Sequence, residues 1–215
     1  DGETTLLLEC GLSFRELQKR LGYGVADITA CLVSHEHQDH AKAAAQMLKA
    51  GVPVYMSEGT AAAHKDAMDA ANLIKAGAVL RFGHLTVVPF RTYHNVEEPL
   101  GFLIEDGRTK ERLLWAVDTA NLGVTADRLT YIAIECNYEE SLLGRSDRIP
   151  SVLKERIRHS HFEVNDVIKW LHKQDLSGVL TIWLLHLSAG NSRAEAWQRR
   201  FEREFPGITI RICEE

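Results

Sequence analysis

Two adjacent stretches decide the fold of this chain: Ile28-Thr29-Ala30-Cys31-Leu32-Val33 and His35-Glu36-His37-Gln38-Asp39-His40. The first is apolar and contains several β-branched residues, which predicts a buried strand. The second holds three histidines and an aspartate directly after that strand, and a helix is predicted to follow over Ala41–Ala50. Proteins of the α/β class place their chemistry where strands end, so this turn is the predicted functional site.

The spacing of the four side chains suits two metal ions. His35 and His37 are two residues apart, so in an extended loop both imidazoles face one point. Asp39 and His40 follow where the chain bends, and they face a second point close by. The alternative is a polar surface turn in which Asp39 caps the next helix, but three adjacent imidazoles bring no structural gain there. We therefore predict that one loop contributes ligands to two metals.

Three further ligand candidates come directly after predicted apolar strands. His94 follows Leu85–Arg91, Asp118 follows Leu113–Val117, and His186 follows Val179–Leu185. A single histidine at a strand end is more often structural than functional. The recurrence of the pattern, together with the first loop, predicts that all three side chains join the same metal site.

Strands and helices alternate along the chain, which predicts an α/β fold. Strand-rich regions in both halves favour a four-layer αββα sandwich over a Rossmann sheet, and neither common glycine-rich phosphate loop is present. Helices are predicted at Ser13–Leu21, with Ser13 as its cap and Glu16 in the capping box, and over most of Ser57–Lys75. Strands Val79–Phe82 and Leu85–Arg91 are predicted to form a hairpin.

The composition bounds the function. The chain has 215 residues, of which 45% are hydrophobic and 26% charged, which predicts one soluble domain over residues 1–215 and no membrane span. Four cysteines without CxxC spacing predict reduced thiols in a cytoplasmic protein. The net charge of −5 argues against a protein that coats nucleic acid, although two bound metals would make the site locally positive. A strand at Thr4–Cys10 begins so early that we expect a further strand upstream of it.

The ordered ligand pattern resembles the metallo-β-lactamase superfamily over nearly the whole chain. The resemblance implies that His35, His37 and His94 hold one metal, that Asp39, His40 and His186 hold the second, and that Asp118 bridges them. Finer features are similar to the YycJ-like bacterial and phage exonucleases and to tRNase Z, namely Glu135-Cys136-Asn137-Tyr138, the stretch from His186 to Asn191, and the extra histidine His161.

The sequence departs from that pattern in three places. The first strand of the family and its Ser-Gly-Ser loop are absent, and Ser160 replaces the usual glycine before His161. Only about forty residues separate Asp118 from His161, too few for the inserted domain of RNase J-like enzymes. No cysteine follows a ligand strand, which disfavours a second site of the true β-lactamase type. The resemblance allows a homodimer, because homodimers are common among similar proteins, but no interface is legible in the sequence.

The predicted chemistry is hydrolysis of a phosphodiester. Two metals can share a hydroxide and clamp the phosphorus, with Zn²⁺ suited to the nitrogen and oxygen ligands and Mn²⁺ as a rival. Asp39 and His161 are the predicted catalytic residues, and His161 is the general acid for the leaving alkoxide. Ser188, Asn191, Arg156 and Arg158 are the candidates for contacting substrate phosphate. Asn191 or Ser192 could equally cap the following helix.

These expectations make the chain a metal-dependent hydrolase, most simply an exonuclease acting on DNA. A phosphodiesterase for cyclic or small nucleotides is the first alternative, because it would use the same metals and the same acid. A thioesterase- or glyoxalase-like hydrolase is the second, because a thiolate leaves without an acid. The remaining histidines are interpreted as surface residues: His64, His84, His159 and His172.

Overall fold

The computed structural model describes residues 3–213. The chain divides into two compact units: unit 1 comprises Asp1–Arg91, Val96–Leu100 and Glu105–Lys110, and unit 2 comprises Thr92–Asn95, Gly101–Ile104 and Glu111–Glu215. Helices and strands alternate within both units, so the predicted α/β class is confirmed. A single domain over residues 1–215 stays a prediction.

The strands of the described residues are, in chain order, β1 (Leu6–Leu8), β2 (Ala30–Leu32), β3 (Val54–Met56), β4 (Asn72–Leu73), β5 (Leu80–Phe82), β6 (Leu85–Arg91), β7 (Leu100–Asp106), β8 (Arg112–Ala116), β9 (Tyr131–Glu135), β10 (Thr181–Leu185) and β11 (Thr209–Ile212). The α-helices are α1 (Phe14–Arg20), α2 (Gln38–Ala41), α3 (Ala44–Lys49), α4 (Glu58–Ala63), α5 (Glu140–Arg145), α6 (Ser151–Ser160), α7 (Val164–Leu171) and α8 (Ala194–Glu204). None of these helices combines the length and the apolar character that crossing a bilayer requires.

Unit 1 is built on a parallel sheet with the strand order β1-β2-β3-β4. Cys31 of β2 pairs with Leu7 on one side and with Val54 on the other. All three residues of β2 are fully buried, as expected for a parallel strand covered on both faces. This buried strand delivers the histidine-rich turn directly from the core of the unit.

The first helix and the hairpin of unit 1 agree with the sequence. The Ser13 hydroxyl accepts a hydrogen bond from the backbone N–H of Glu16 at 3.3 Å, so Ser13 caps α1 as predicted. Strands β5 and β6 pair antiparallel, with Phe82 opposite Leu85. Gly83, between them, has a φ of 55°, a backbone angle that glycine adopts without strain.

Two helix predictions in unit 1 are wrong in extent. The helix predicted over Ser57–Lys75 ends at Ala63, and the chain later forms β4, whose Asn72 pairs with Tyr55 of β3. The Asn72 amide also donates to the Val54 carbonyl at 3.3 Å, so pairing with the sheet outweighs the helix propensity of the alanines. The helix predicted over Ala41–Ala50 begins earlier, as α2, and is interrupted before α3.

Unit 2 contains four parallel strands in the order β11-β10-β9-β8. Ala133 of β9 pairs with Trp115 of β8 and with Trp183 of β10, and Glu135 pairs with Leu185 at the end of the ladder. Because parallel neighbours end at the same edge of a sheet, the residues that follow β8, β9 and β10 are brought together there.

Candidate metal centre

The histidine loop, residues 34–40, runs from the end of β2 into α2 in unit 1. His35 and His40 are buried, with 1% and 5% of their surfaces exposed, whereas Asp39 has an exposed carboxylate. The N-cap of α2 is His37, so the interpretation of Asp39 as the helix cap is wrong. Buried imidazoles at a strand end have the placement expected of ligands rather than of a solvated turn.

Two imidazoles of the histidine loop are oriented toward a shared point. The Nδ1 atom of His35 lies 2.9 Å from the Ser34 hydroxyl, which fixes the ring, and its Nε2 atom lies 3.0 Å from Nδ1 of His37. Two nitrogens bound to one zinc ion at tetrahedral angles would be about 3.3 Å apart. The pair is therefore close to the spacing that a single metal requires.

Glu9 is a member of this site that the sequence interpretation missed. Its carboxylate accepts a hydrogen bond from the backbone N–H of Ser34 at 3.3 Å and lies 3.5 Å from Nδ1 of His40. The Glu9 carboxylate therefore orients the His40 ring through Nδ1, and Nε2 faces away from Glu9. Glu9 also has a φ of 68°, in the left-handed region that non-glycine residues seldom adopt.

His64 differs from its interpretation as a surface residue. It is half-buried, and its Nε2 atom lies 2.8 Å from the carbonyl oxygen of Glu36, within the histidine loop. The imidazole thus forms a hydrogen bond that connects the histidine loop to the end of α4. Its place at the end of α4 gave no sign of this contact.

The carboxylate–histidine cluster of unit 2 consists of His94, Asp118, Glu135, His161 and His186. Asp118 is 2% exposed, and its Oδ1 atom lies 2.9 Å from Nδ1 of His186. Both residues have left-handed backbone angles, with φ values of 41° and 55°. Strained residues of this kind persist where their surroundings hold them in place, and they concentrate at functional sites.

The surroundings of His94 favour the neutral form of its imidazole. Its Nδ1–H donates to the carbonyl oxygen of Ser160 at 2.8 Å, which leaves the Nε2 lone pair 3.6 Å from Oδ2 of Asp118. Burial lowers the pKa of His94 below its ordinary value of 6.5, although the Ser160 carbonyl and the Asp118 carboxylate favour the charged form. An imidazole must be neutral to bind a metal, so burial favours the state of His94 that could bind one.

Glu135 is the centre of the cluster and was not assigned a role from the sequence. The side chain is wholly buried at the end of β9. Its Oε1 atom lies 2.6 Å from Nδ1 of His161 and 2.9 Å from Nδ1 of His186. Its Oε2 atom accepts the backbone N–H of Thr119 at 2.7 Å and that of Phe162 at 3.3 Å. A lone acid ending an otherwise apolar strand was the signal that could have identified it.

The donor chemistry of unit 2 fits a divalent transition metal. Ligand atoms of Asp118, Glu135, His161 and His186 all lie within 4.8 Å of one another. Two imidazoles and two carboxylates without a thiolate form a nitrogen and oxygen donor set, which suits zinc or manganese. A cation bound there would offset the buried negative charge of Asp118 and Glu135.

The four predicted substrate contacts are placed differently from one another. Arg156 is exposed on α6, whereas Arg158 forms ion pairs with Glu140, at 3.0 Å, and with Glu155. Asn191 is 4% exposed and donates from its amide to the Ser188 hydroxyl at 3.0 Å. The N-cap of α8 is Arg193, so neither Asn191 nor Ser192 caps that helix.

Comparison with known proteins identifies the family of this chain. The family model described as a beta-lactamase superfamily domain matches residues 4–182. Exodeoxyribonuclease YycJ of Bacillus anthracis is 28% identical over 214 residues, which cover 90% of this chain and 78% of that relative.

Two solved structures with similar folds extend the comparison. The metallo-beta-lactamase fold protein YhfI from Bacillus subtilis superposes with a TM-score of 0.70 at 16% identity, over 100% of this chain and 86% of its own. The short form of human tRNase Z superposes with a TM-score of 0.62 at 14% identity, over 98% and 85%. The predicted metallo-β-lactamase-like α/β sandwich is therefore confirmed.

Proposed function

The chain belongs to the beta-lactamase superfamily and is a metal-dependent hydrolase, and we propose that it hydrolyses phosphodiester bonds of nucleic acid, as an exonuclease acting on DNA. One observation carries the proposal: the His161 imidazole lies in the carboxylate–histidine cluster with its Nδ1 atom 2.6 Å from Glu135. An acid is needed where an alkoxide leaves, as in phosphodiester hydrolysis.

The name of the Bacillus anthracis relative supports the choice of DNA and of exonuclease action. The solved tRNase Z, which shares the fold, is consistent with phosphodiester chemistry on this scaffold. Cyclic and small nucleotides are the alternative substrates, since they present the same bond to the same residues.

We assign two divalent metal ions to the chain, Zn²⁺ in the first place and Mn²⁺ as the rival. In this proposal one ion is held by His35, His37 and His94, the second by Asp39, His40 and His186, and Asp118 is shared by both. The assignment rests on the ordered sequence pattern and on the ligand-like orientation of the imidazoles within each unit. When bound, such ions supply an activated water and offset the charge on the phosphate.

The remaining steps belong to side chains of the protein. Glu135 accepts the Nδ1–H of His161, which presents the Nε2–H of a protonated ring to the departing oxygen. The same carboxylate holds His186, so acid and ligand share one support. Ser188 and Asn191 would donate hydrogen bonds to phosphate oxygens, while Arg156 and Arg158 would contact neighbouring phosphates.

The test of this function is a cleavage assay of the protein loaded in parallel with zinc and manganese. The substrates are labelled duplex DNA, single-stranded DNA, RNA, cyclic mononucleotides and bis-p-nitrophenyl phosphate. Stepwise shortening of DNA is the expected result. Cleavage of cyclic nucleotides alone would favour the small-nucleotide alternative, and the absence of cleavage of every one of these phosphodiesters by the metal-loaded protein would overturn the proposal.

Two variants test the residue assignments. Asp39→Ala should abolish turnover and reduce bound metal from two ions towards one, as measured by elemental analysis. His161→Ala should retain both metals and slow phosphodiester cleavage by about two to four orders of magnitude. His159→Ala is the matched control, because its side chain is 81% exposed. Loss of metal from His161→Ala would make that residue a ligand instead of the acid.

We also propose that the protein is cytoplasmic and that it acts as a homodimer. Cys10, Cys31, Cys136 and Cys213 are free thiols, which suits a reducing compartment. Sedimentation of the metal-loaded protein tests the dimer.

A further inference from the structure

A cavity of about 500 Å³ lies in unit 2, and some of its lining residues are close in sequence to members of the carboxylate–histidine cluster. Its lining includes Ala120, two residues after Asp118, and Phe162, the residue after His161. Two residues of extended chain span at most about 7 Å, so the cavity begins directly beside these cluster members. Nothing in the proposed chemistry uses this space.

An exposed aromatic side chain lies at the edge of the cavity. Tyr93 is 53% exposed, and it directly precedes the ligand candidate His94. Its backbone is fixed on both sides, because its N–H donates to the Thr119 hydroxyl at 2.9 Å and its carbonyl accepts the Ala120 N–H at 2.7 Å. The phenol reaches the cavity wall at Gly123, where a Cβ atom would lie 3.0 Å from the Tyr93 hydroxyl.

Another part of the cavity lining comes from α7 and the residues directly after it, which contribute an indole and two lysines. Trp170 is 5% exposed, and its Nε1–H donates to the Val124 carbonyl at 3.3 Å, which fastens the 120–125 loop to the helix. Lys169 pairs with Asp166 at 2.8 Å. Lys173 is exposed and forms no ion pair with any residue in the range 3–213. The cavity therefore combines an aromatic edge with an available cation.

We propose that this cavity binds the nucleoside next to the scissile phosphate, with its base stacked on Tyr93 and its outer phosphate contacted by Lys173. The inference rests on the proposed function and specifies its substrate as a phosphodiester that carries a nucleobase. Aromatic stacking accepts any base, because every base has a π-face, and a neighbouring lysine follows the backbone charge. A cavity of about this volume accommodates a ligand of nucleoside size.

The experiment compares two substrates with the same leaving group, thymidine 5′-(p-nitrophenyl phosphate) and bis-p-nitrophenyl phosphate, which has no base. Tyr93→Ala should raise KM for the thymidine ester about tenfold and leave KM for the base-free ester unchanged. Tyr93→Phe should behave as the unmodified protein, since the ring is retained. Lys173→Gln should weaken binding of a fluorescent oligodeoxynucleotide and reduce its dependence on salt.

Controls come from unit 1, where Tyr23 is 74% exposed and Lys19 is exposed on α1. Tyr23→Ala and Lys19→Gln should change none of these constants, and metal content should stay the same in all variants. Equal KM values for Tyr93→Ala and the unmodified protein on the thymidine ester would overturn the inference while leaving the proposed function intact. Failure of the unmodified protein to hydrolyse any phosphodiester would overturn both.

Discussion

Glu135 has a buried carboxylate that joins several parts of unit 2 by hydrogen bonds. Its two oxygens receive two imidazole N–H groups and two backbone N–H groups. Glu135→Gln replaces one acceptor oxygen by a donor amide, so one pair of N–H groups must lose its partner. We expect kcat to fall about ten- to a hundredfold with the fold retained, as measured by initial rates and circular dichroism.

The matched control for that change is Glu204→Gln. Glu204 also contacts a histidine, with 2.7 Å between its carboxylate and Nε2 of His172, but both side chains are largely exposed. This variant should keep full activity. Undiminished kcat in Glu135→Gln would show that the carboxylate does not position His161 and His186 for the reaction.

The lowered pKa of His94 makes the stability of the metal-free protein depend on pH. The unfolded chain takes up the His94 proton near 6.5, whereas the folded chain takes it up only at lower pH. Acidification through 6.5 therefore favours unfolding, and the free energy of unfolding rises again as the pH returns above that value. Denaturant titrations above and below pH 6.5 measure how the free energy of unfolding changes with pH. This change should be smaller in His94→Gln than in the unmodified protein. Equal dependence in the two proteins would contradict the prediction.

Individual candidate ligands could be named from the sequence because each follows its own strand. His35, His94, Asp118 and His186 needed only a local apolar run and a polar residue at its end. Glu9 and Glu135 could not be assigned in this way, since their roles depend on partners far along the chain: Glu9 contacts Ser34, and Glu135 contacts His161. A carboxylate that acts through another residue leaves no spacing pattern in the sequence.

At the level of elements, the segment that follows β1 is in close contact with the backbone of α2. A Cβ atom on Gly11 would lie 1.5 Å from the carbonyl oxygen of Asp39 and 2.7 Å from the backbone nitrogen of His40. The neighbouring Cys10 N–H donates to the His40 carbonyl at 2.7 Å. The segment after the first strand therefore helps to determine where the histidine loop lies, and only glycine permits this approach at position 11.

Gly11→Ala should displace the histidine loop. We expect the free energy of unfolding to fall by about 1–3 kcal/mol, because backbone has to move, and metal affinity to fall with it. Chemical denaturation and metal titration measure the two effects. Gly144→Ala in α5 is the control, since its Cβ would meet only the Glu140 carboxylate at 3.4 Å. Identical stability of Gly11→Ala and the unmodified protein would exclude this packing constraint.

Strands were easier to predict than helices. The apolar runs of β2, β9 and β10 are short and bounded by polar residues, so their positions follow from hydrophobicity alone. The alanine-rich stretch after Ser57 has a high helix propensity, yet the pairing of β4 with β3 overrides it beyond Ala63. Pairing between segments far apart along the chain is information that a propensity does not contain.

At the scale of the whole molecule, removal of metal should lower thermal stability. The chain buries the carboxylates of Asp118 and Glu135 together, and without cations their mutual repulsion is not offset. Binding at a hundredfold excess over Kd contributes about 2.7 kcal/mol, so a chelator should lower Tm by about 5–10 °C. Scanning calorimetry with and without zinc measures the shift. Asp118→Asn should show a smaller shift, and an unchanged Tm in the chelated native protein would refute metal-linked stability.

The fold class was accessible from the sequence, and the sequence also named a set of candidate ligands, because both follow from an ordered series of short motifs. The cavity beside Phe162 and the edge formed by Tyr93 were not, since their residues come from the loop after β8, from α7 and from the approach to His94. Such surfaces depend on how loops and helices pack, and this packing leaves no recognisable pattern in the amino-acid sequence.

The left-handed backbone angles at Glu9, Asp118 and His186 have a consequence for how this chain evolves. Each costs about 1 kcal/mol that glycine or asparagine would largely avoid, so the residues persist only where selection for activity outweighs selection for stability. Descendants of this fold that have lost catalysis should drift towards glycine or asparagine at these three positions first. Conversely, an inherited acid or histidine in that strained conformation would mark a lineage that is still an enzyme.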